Sequence, residues 1–231
     1  MLSLSNISFS YGLVQILNDV SIEVPKAKVV CVMGRNGVGK TTLMRNIVGL
    51  EKASKGTVTL DGRDITKTPA RKRAQSGLAL VPQGRMIFPR LTVRENLEVG
   101  LSARTDGCRT IPEEVYELFP VLKDMGARQG GNLSGGQQQQ LAIGRALVGE
   151  PRVLLLDEPT EGIQPNVIQA IGQVLLRLVK EKEMTVVLVE QYVDFIKEFG
   201  DHFYIMNRGR VVANGDTPQL SEAIVRQHLS V

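Results

Sequence analysis

A glycine-rich segment at residues 34–41 constrains the fold more than any other part of the chain. It reads GRNGVGKT and fits the pattern G-x-x-x-x-G-K-[ST]. A stretch with an apolar centre (residues 28–33) precedes it, and a helical pattern (residues 40–48) follows it. A strand, a glycine loop and a helix in this order are the context in which backbone N–H groups surround phosphate. The segment therefore predicts an α/β fold that binds ATP or GTP.

The residue types of this loop have expected roles. Glycine lets the backbone turn its N–H groups inward, and the start of the following helix adds a positive dipole end. Lys40 is expected to reach the β- and γ-phosphates, and the Thr41 hydroxyl to ligate Mg²⁺. The predicted nucleotide-binding residues here are Gly34, Arg35, Asn36, Gly37, Val38, Gly39, Lys40, Thr41 and Thr42.

Two adjacent carboxylates, Asp157 and Glu158, follow an apolar run at residues 153–156. Ligands bind at the carboxyl ends of strands in an open α/β sheet. We expect Asp157 to hold Mg²⁺ through water and Glu158 to orient or deprotonate the water that attacks the phosphate. Taken alone, a strand end capped by acidic residues explains the pair equally well. The glycine loop upstream favours the catalytic interpretation.

A second glycine-rich turn at residues 133–137 reads LSGGQ and precedes a helical pattern at residues 136–148. Ser134 is a favourable N-cap, and the helix start could equally hold an anion. In isolation the pattern favours a helix cap with a flexible turn. With the P-loop upstream and the paired carboxylates downstream, however, the chain resembles the ATP-binding cassette (ABC) ATPases, the engines of ABC transporters, over essentially its whole length.

This resemblance implies two cassettes that pair head to tail, with ATP between one P-loop and the partner's signature turn. Tyr11 matches the aromatic residue that stacks on adenine; without the family match, an ordinary tyrosine at a strand end is the better interpretation. Gln83 matches the glutamine that senses the γ-phosphate and the transmembrane subunit, and it joins Thr41 and Asp157 as an expected Mg²⁺ ligand. The signature residues that join the nucleotide-binding set are Ser134, Gly135, Gly136 and Gln137.

Two positions depart from the usual family pattern. Gln191 stands where most members have a switch histidine, and Gln164 stands where an aspartate is usual. The amino-acid and urea group of the family carries glutamine there too. A side-chain amide donates and accepts hydrogen bonds but carries no proton at neutral pH. The expected catalytic residues are therefore Glu158 as base with Gln83 and Gln191 as positioning groups; the alternative is that Gln191 caps its strand and faces solvent.

Several strings resemble a narrower group. Residues 82–85 (PQGR), 87–93 (IFPRLTV) and 142–147 (AIGRAL) resemble ATPases that serve branched-chain amino acids and related solutes. Residues 133–140 (LSGGQQQQ) and 159–165 (PTEGIQP) are most similar to the second ATPase subunit of urea transporters. The resemblance implies ATP hydrolysis that powers uptake of urea or short amides, with branched-chain amino acids as the alternative solute.

The same resemblance implies partners and a location. The partners are membrane permease subunits, a second ABC ATPase subunit in a homo- or heterodimer and, indirectly, a solute-binding protein. The chain is then peripheral on the cytoplasmic face of the inner membrane. The composition agrees with this location: two cysteines favour a reducing compartment, the first residues do not resemble a secretory signal, and the apolar runs fall short of the ~18 residues of a membrane span.

Nucleic-acid binding and two other functional classes receive little support. The net charge of +4 is spread along the chain, and the densest basic cluster, residues 71–73, is expected to be a solvated helix face. A soluble ABC ATPase of DNA repair would insert a long coiled coil, and one of translation would fuse two cassettes; 231 residues have room for neither. A small-molecule kinase has no use for LSGGQ.

Strands alternating with helices predict a mostly parallel central sheet with helices on both faces, in a single ABC ATPase domain over residues 1–231. Residues 1–83 and 150–231 are expected to form the nucleotide-binding core, which includes an antiparallel β part near the start of the chain. Residues 84–149 are expected to form a helical subdomain that carries the signature turn. Strands are predicted at residues 2–9, 20–24, 28–33, 56–60, 78–81, 153–156, 185–189, 202–207 and 210–214; helices are predicted at residues 40–48, within 92–119, and at 136–148, 165–182 and 221–229.

Overall fold

The computed structural model describes residues 1–229. The strands are β1 (Leu2–Tyr11), β2 (Val14–Val24), β3 (Val29–Met33), β4 (Lys55–Leu60), β5 (Arg63–Asp64), β6 (Leu78–Val81), β7 (Val153–Asp157), β8 (Thr185–Val189), β9 (His202–Asn207) and β10 (Arg210–Asp216). The α-helices are α1 (Lys40–Val48), α2 (Ala70–Gln75), α3 (Val93–Val99), α4 (Glu113–Leu118), α5 (Pro120–Asp124), α6 (Gly135–Val148), α7 (Pro165–Lys182), α8 (Val193–Phe199) and α9 (Glu222–His228). Single 3₁₀ turns occur at Gly100–Ala103, Gly130–Asn132 and Thr217–Gln219.

A six-stranded sheet forms the centre of the molecule, in the order β10-β9-β3-β8-β7-β6. All neighbouring strands in it run parallel except β9 and β10. Every residue of β3, β7 and β8 is buried, as expected of parallel strands covered on both faces. The predicted α/β fold with a mostly parallel sheet is therefore confirmed.

The two faces of this sheet belong to two different apolar cores. Successive side chains of a strand point to opposite faces. Val30 and Val32 accordingly pack in one core with α1 and a four-stranded antiparallel sheet in the order β2-β1-β4-β5. Cys31 and Met33 pack in the other core with apolar residues of α3 to α8. Strand β3, which leads into the P-loop, is thus packed between a β layer and a helical layer.

The chain between β6 and β7 folds into the four helices α3 to α6. Two of these helices start with capping boxes, in which a side chain and a backbone N–H cap each other across one turn. Thr92 and Glu95 form the box of α3, and Ser134 and Gln137 form that of α6. The signature turn therefore starts a helix with a fixed backbone geometry. Among residues 1–229, no helix combines the length and the apolar character needed to cross a membrane.

The structure corrects some predicted elements. β2 starts at Val14 rather than at residue 20, and the structure adds helices α2 and α8 to the predicted ones. The cluster at residues 71–73 is not wholly a solvated face, because Arg73 is only 2% exposed. Its guanidinium donates hydrogen bonds to the carbonyl oxygens of Asn46, Ile47, Thr66 and Thr68. A buried guanidinium needs such acceptors, and the end of a helix has carbonyls without helical partners.

Close packing of α7 against α8 gives a stability prediction. A Cβ on Gly172 would lie 2.4 Å from two ring atoms of Phe199, which is itself buried. Gly172→Ala should therefore destabilise the protein by about 1–3 kcal/mol through overpacking, although alanine is the better helix former. The measurement is the free energy of unfolding in denaturant.

The exposed neighbour on the same helix provides the control for this prediction. Gln173→Ala should change the free energy of unfolding by less than about 0.5 kcal/mol. Phe199→Leu should recover part of the loss when it is combined with Gly172→Ala, because it removes the ring that the new methyl group meets. An alanine variant as stable as the parent would show that α8 moves away at little cost.

Candidate nucleotide-binding site

The carboxyl ends of four parallel strands meet at one edge of the central sheet. β3 leads into the P-loop, β6 into Gln83, β7 into Glu158 and β8 into Gln191. Residues far apart in sequence come together here because the strands run in the same direction. A cavity of about 340 Å³ opens at this edge; it is lined by Ile16, Asn36, Gly37, Gly39, Lys40, Thr41, Thr42, Gln83 and Glu158.

The P-loop lysine is buried at the floor of this cavity. The Nζ of Lys40 donates to the carbonyl oxygens of Gly34 at 2.7 Å and of Arg35 at 3.0 Å. It also lies 3.6 Å from Oε1 of Glu158. Burial lowers the pKa of Lys40, and the Glu158 carboxylate opposes that shift. The lysine is therefore held at the place where an anionic ligand would meet it.

Glycine is required at Gly34, where the loop begins. Its φ is 148°, and a Cβ there would lie 2.5 Å from the backbone oxygen of Met206. A side chain would push the loop away from β9, and the carbonyl oxygen that holds Lys40 would move with it.

Asp157 ends β7 and is only 3% exposed. Its Oδ1 is buried and has no hydrogen-bond partner. Burial raises the pKa of this carboxyl group, and the nearby Thr41 hydroxyl group opposes the shift. An unpartnered buried carboxylate oxygen beside a hydroxyl group fits a divalent cation with oxygen ligands.

The rest of the magnesium ligand set also fits such an ion. Thr41 and Gln83 line the cavity. No cluster of three or more His, Cys, Asp or Glu side chains within residues 1–229 forms a metal site by itself. Mg²⁺ is commonly held by one or two carboxylates together with substrate phosphates, and Asp157, Thr41 and Gln83 suit that mode.

Glu158 accepts hydrogen bonds from the other two predicted catalytic side chains. Its Oε2 accepts a hydrogen bond from Nε2 of Gln83 at 3.1 Å, and its Oε1 accepts one from Nε2 of Gln191 at 2.8 Å. The Glu158 side chain is 11% exposed, and its backbone has a φ of 51°. The predicted catalytic residues thus lie in one hydrogen-bonded group.

Gln191 has a second partner in the P-loop. Its Nε2 donates to Oδ1 of Asn36 at 2.7 Å as well as to Glu158. The residue is exposed, but the amide faces the cavity edge rather than only solvent. A simple cap on β8 does not account for these two contacts.

Tyr11 and the signature turn lie outside the lining of this cavity. Tyr11 is 43% exposed, packs edge-on against Phe9 and donates from its hydroxyl group to Glu51 at 3.0 Å. Ser134 accepts from the backbone N–H of Gln137 at 3.3 Å, which completes the cap of α6. Within one chain, the signature residues Ser134, Gly135, Gly136 and Gln137 are therefore not brought to the P-loop.

Three residues near the site were missed by the sequence-based assignment. Ile16 lines the cavity from β2, and Glu161 accepts a second hydrogen bond from Gln83 at 3.1 Å. Glu190 is 3% exposed and lies directly before Gln191. Only Glu190 had a usable signal, namely an acidic residue at the carboxyl end of a buried strand.

Comparisons with known proteins show the family of the chain. The family model for the ABC transporter matches residues 17–161. The chain is 41% identical over 213 residues to the high-affinity branched-chain amino acid transport ATP-binding protein BraG of Pseudomonas aeruginosa, with 92% of this chain and 91% of that protein covered. It is 36% identical over 225 residues to the probable branched-chain amino acid transport ATP-binding protein LivF of Archaeoglobus fulgidus, with 96% and 94% covered.

A solved structure gives the same result for the fold. A dimeric, post-hydrolysis ATP-binding cassette bound to ADP and phosphate superposes with a TM-score of 0.85 at 26% identity, with 94% of this chain and 99% of that chain covered. The family match spans more than half of the chain, and the fold match spans nearly all of it. The chain therefore belongs to the ABC transporter family and is an ATP-hydrolysing transporter subunit.

Proposed function

We propose that this subunit powers import of branched-chain amino acids through separate permease subunits. The main support is the similarity to BraG and LivF over more than nine-tenths of the chain. The competing solutes, urea and short amides, are supported only by the short strings at residues 133–140 and 159–165. Branched-chain amino acids are therefore the favoured solute, and urea is the second candidate.

The hydrogen-bonded group around Glu158 carries the proposed mechanism. Gln83 and Gln191 each donate to a different carboxylate oxygen of Glu158, which fixes the plane of that carboxylate. Glu158 acts as the base toward the attacking water. Gln191 cannot carry a proton, and its amide, which also contacts Asn36, positions the water or the γ-phosphate.

Lys40 and the P-loop bind the phosphates in this proposal. The Nζ of Lys40 now rests on two loop carbonyl oxygens and near Glu158; a phosphate group offers this cation a stronger, charged partner. Asp157, Thr41 and Gln83 would hold Mg²⁺, which would neutralise phosphate charge. Tyr11 stacks on the adenine.

A second ABC ATPase subunit completes each site. The signature turn starts α6 outside the P-loop cavity of its own chain. Helix starts of this kind favour anions, so Ser134 and the two following glycines are suited to the γ-phosphate bound by a partner cassette. A homodimer and a heterodimer both satisfy this geometry.

An apolar groove next to Gln83 is the proposed docking surface for the permease. It has a volume of about 610 Å³, and Leu50 and Met86 on its lining are 60% and 62% exposed. Its lining includes Thr41, Gln83 and Asp157, so a bound permease segment would contact residues of the nucleotide site directly. Docking here places the subunit on the cytoplasmic face of the inner membrane. A movement of the helical part, residues 84–149, relative to the core would couple the docking groove to the nucleotide site.

Removal of the proposed base gives the first test of this mechanism. Glu158→Gln should keep ATP affinity and lower the turnover rate by about 10²–10⁴-fold, the usual contribution of a general base. ATP binding and steady-state hydrolysis should be measured on the same preparation. Glu183→Gln is the matched control, because Glu183 shares the φ of 51° but lies on the surface beside Lys26. Near-normal turnover of Glu158→Gln would remove Glu158 from the role of base.

The docking groove is tested separately from the chemistry. Leu50→Lys places a charge on an apolar surface and should abolish co-purification with the permease while ATP binding by the chain is kept. Leu176→Lys on α7 is the control, since Leu176 is 39% exposed and does not line the groove. Intact permease association of the Leu50 variant would place the docking surface elsewhere.

The solute is tested by reconstitution. The subunit should be inserted into vesicles with its co-purifying permease and binding protein, and ATP hydrolysis should be measured with leucine, isoleucine, valine, urea or acetamide. Stimulation by the branched-chain amino acids is the expected result. Stimulation by urea or acetamide alone would reverse the order of the two candidate solutes. If no permease co-purifies, the importer assignment fails and a soluble ABC ATPase becomes the better description.

A further inference from the structure

The buried carboxylate of Glu190 lies next in sequence to Gln191, one of the proposed catalytic residues. Glu190 follows the last residue of β8 and is only 3% exposed. Burial of a charge is costly unless hydrogen bonds compensate for it. The hydrogen bonds that Glu190 accepts therefore indicate the role of a charged group at this position.

The two oxygens of Glu190 serve two different loops. Oε1 accepts hydrogen bonds from the backbone N–H of Thr160 at 3.0 Å and from its hydroxyl group at 2.6 Å. Oε2 accepts from the backbone N–H groups of Gln191 at 2.9 Å and of Tyr192 at 3.2 Å. One carboxylate thus joins the turn after β7 to the loop after β8.

These two loops carry the two ends of the contact between Glu158 and Gln191. Thr160 lies two residues after Glu158, and Gln191 is the next residue after Glu190. The backbone is tied at a second point, where the N–H of Glu158 donates to the carbonyl oxygen of Val189 at 2.9 Å. The distance between the Glu158 carboxylate and the Gln191 amide, 2.8 Å, is therefore set by loops that Glu190 holds together.

We propose that Glu190 is a positioning residue for ATP hydrolysis: its carboxylate holds the loop of Gln191 against the loop of Glu158. This inference rests on the proposed roles of Glu158 and Gln191. Since Gln191 cannot take up a proton, its contribution depends on where its amide lies, and an error of about 1 Å in a reacting group can cost 10²-fold in rate. A fixed backbone at residues 191 and 192 provides that accuracy.

The donor set also explains why a carboxylate, rather than an amide, suits this position. All four contacts come from hydrogen-bond donors, and an ionised carboxylate is an acceptor at both oxygens. In Glu190→Gln, one end would be an NH₂ group facing the N–H of Thr160 or those of Gln191 and Tyr192. The side-chain amide of this variant would therefore accept hydrogen bonds from one loop and would place its own N–H donors against the N–H donors of the other loop.

A purely structural role for Glu190 makes a different prediction, and a double-mutant cycle separates the two. If Glu190 acts through Gln191, then Glu190→Gln should cost little further rate once Gln191 is already alanine. If it only supports the fold, the two losses should multiply. Residues in one hydrogen-bonded network show such coupling, whereas independent sites add in free energy.

The experiment measures single-turnover ATP hydrolysis, ATP affinity and thermal unfolding, on the preparation used for Glu158→Gln. The variants are Glu190→Gln, Gln191→Ala and their combination. Each single variant should lower the hydrolysis rate by about 10–10²-fold with ATP affinity retained, and the combination should be no slower than Gln191→Ala. Asp201→Asn is the control: Asp201 accepts a backbone N–H from Val29 at 2.8 Å, at the opposite end of β3, and its loss should leave the rate unchanged.

A milder variant covers the case in which Glu190→Gln does not fold. Thr160→Val removes the 2.6 Å contact with Oε1 and leaves the buried charge in place. Its smaller rate loss should likewise vanish in the Gln191→Ala background. Amide hydrogen exchange at residues 191 and 192 should be faster in Glu190→Gln than in the parent.

Three results would overturn the proposal. One is a normal hydrolysis rate for both Glu190→Gln and Thr160→Val. Another is an equal fold loss with and without Gln191, which would assign Glu190 to the fold alone. The last is a normal rate for Gln191→Ala, which would remove Gln191 itself from hydrolysis; a large loss in Glu158→Gln would then show that the proposed function survives while this inference fails.

Discussion

The organisation of the site depends on burial of a parallel sheet on both faces. A strand covered on both sides is largely apolar, as β3, β7 and β8 are apart from Thr185 and the terminal Asp157, so it offers few places for polar side chains along its length. Polar and charged groups collect where the strands end. Because these strands run in the same direction, their ends lie at one edge, and residues from four distant parts of the sequence meet there.

At this edge the negative charges outnumber the positive ones, and hydrogen bonds compensate for the excess. Asp157, Glu158 and Glu190 place three carboxylates near one buried lysine, at a site meant for an anionic nucleotide. Lys40 lies 3.6 Å from Glu158, and in the proposed mechanism it binds a phosphate instead. The other partners of the carboxylates are neutral donors. The amides of Gln83 and Gln191 donate hydrogen bonds to Glu158, and backbone N–H groups donate to Glu190. Glu158 and Glu190 are thus held mainly by neutral donors, in addition to the ion pair of Glu158 with Lys40 at 3.6 Å.

The sequence predicted the parts of the molecule that are controlled by local chemistry. Apolar runs located the central strands, and glycines at fixed spacing located the P-loop, because one backbone path requires them. Arg73 could not be assigned, since two of the four carbonyl oxygens that make its burial tolerable belong to the distant helix α1. Glu190 had a signal at the end of its strand, but its contact with Thr160 joins segments far apart in the sequence. The start of β2 was missed because residues 14–19 (VQILND) do not alternate strictly between apolar and polar side chains. In the proposed function the solute passes through separate permease subunits, so this sequence indicates the solute only through similarity to relatives.

The backbone of Glu158 has a consequence for how far this protein can be stabilised. Its φ of 51° lies in the left-handed region, which costs a residue with a side chain roughly 1–2 kcal/mol compared with the right-handed one. Glycine would adopt that conformation freely but would remove the carboxylate. The chain therefore carries strain at the residue proposed as the catalytic base. Selection for thermostability alone would favour its loss, so the highest stability and the highest ATPase rate belong to different sequences.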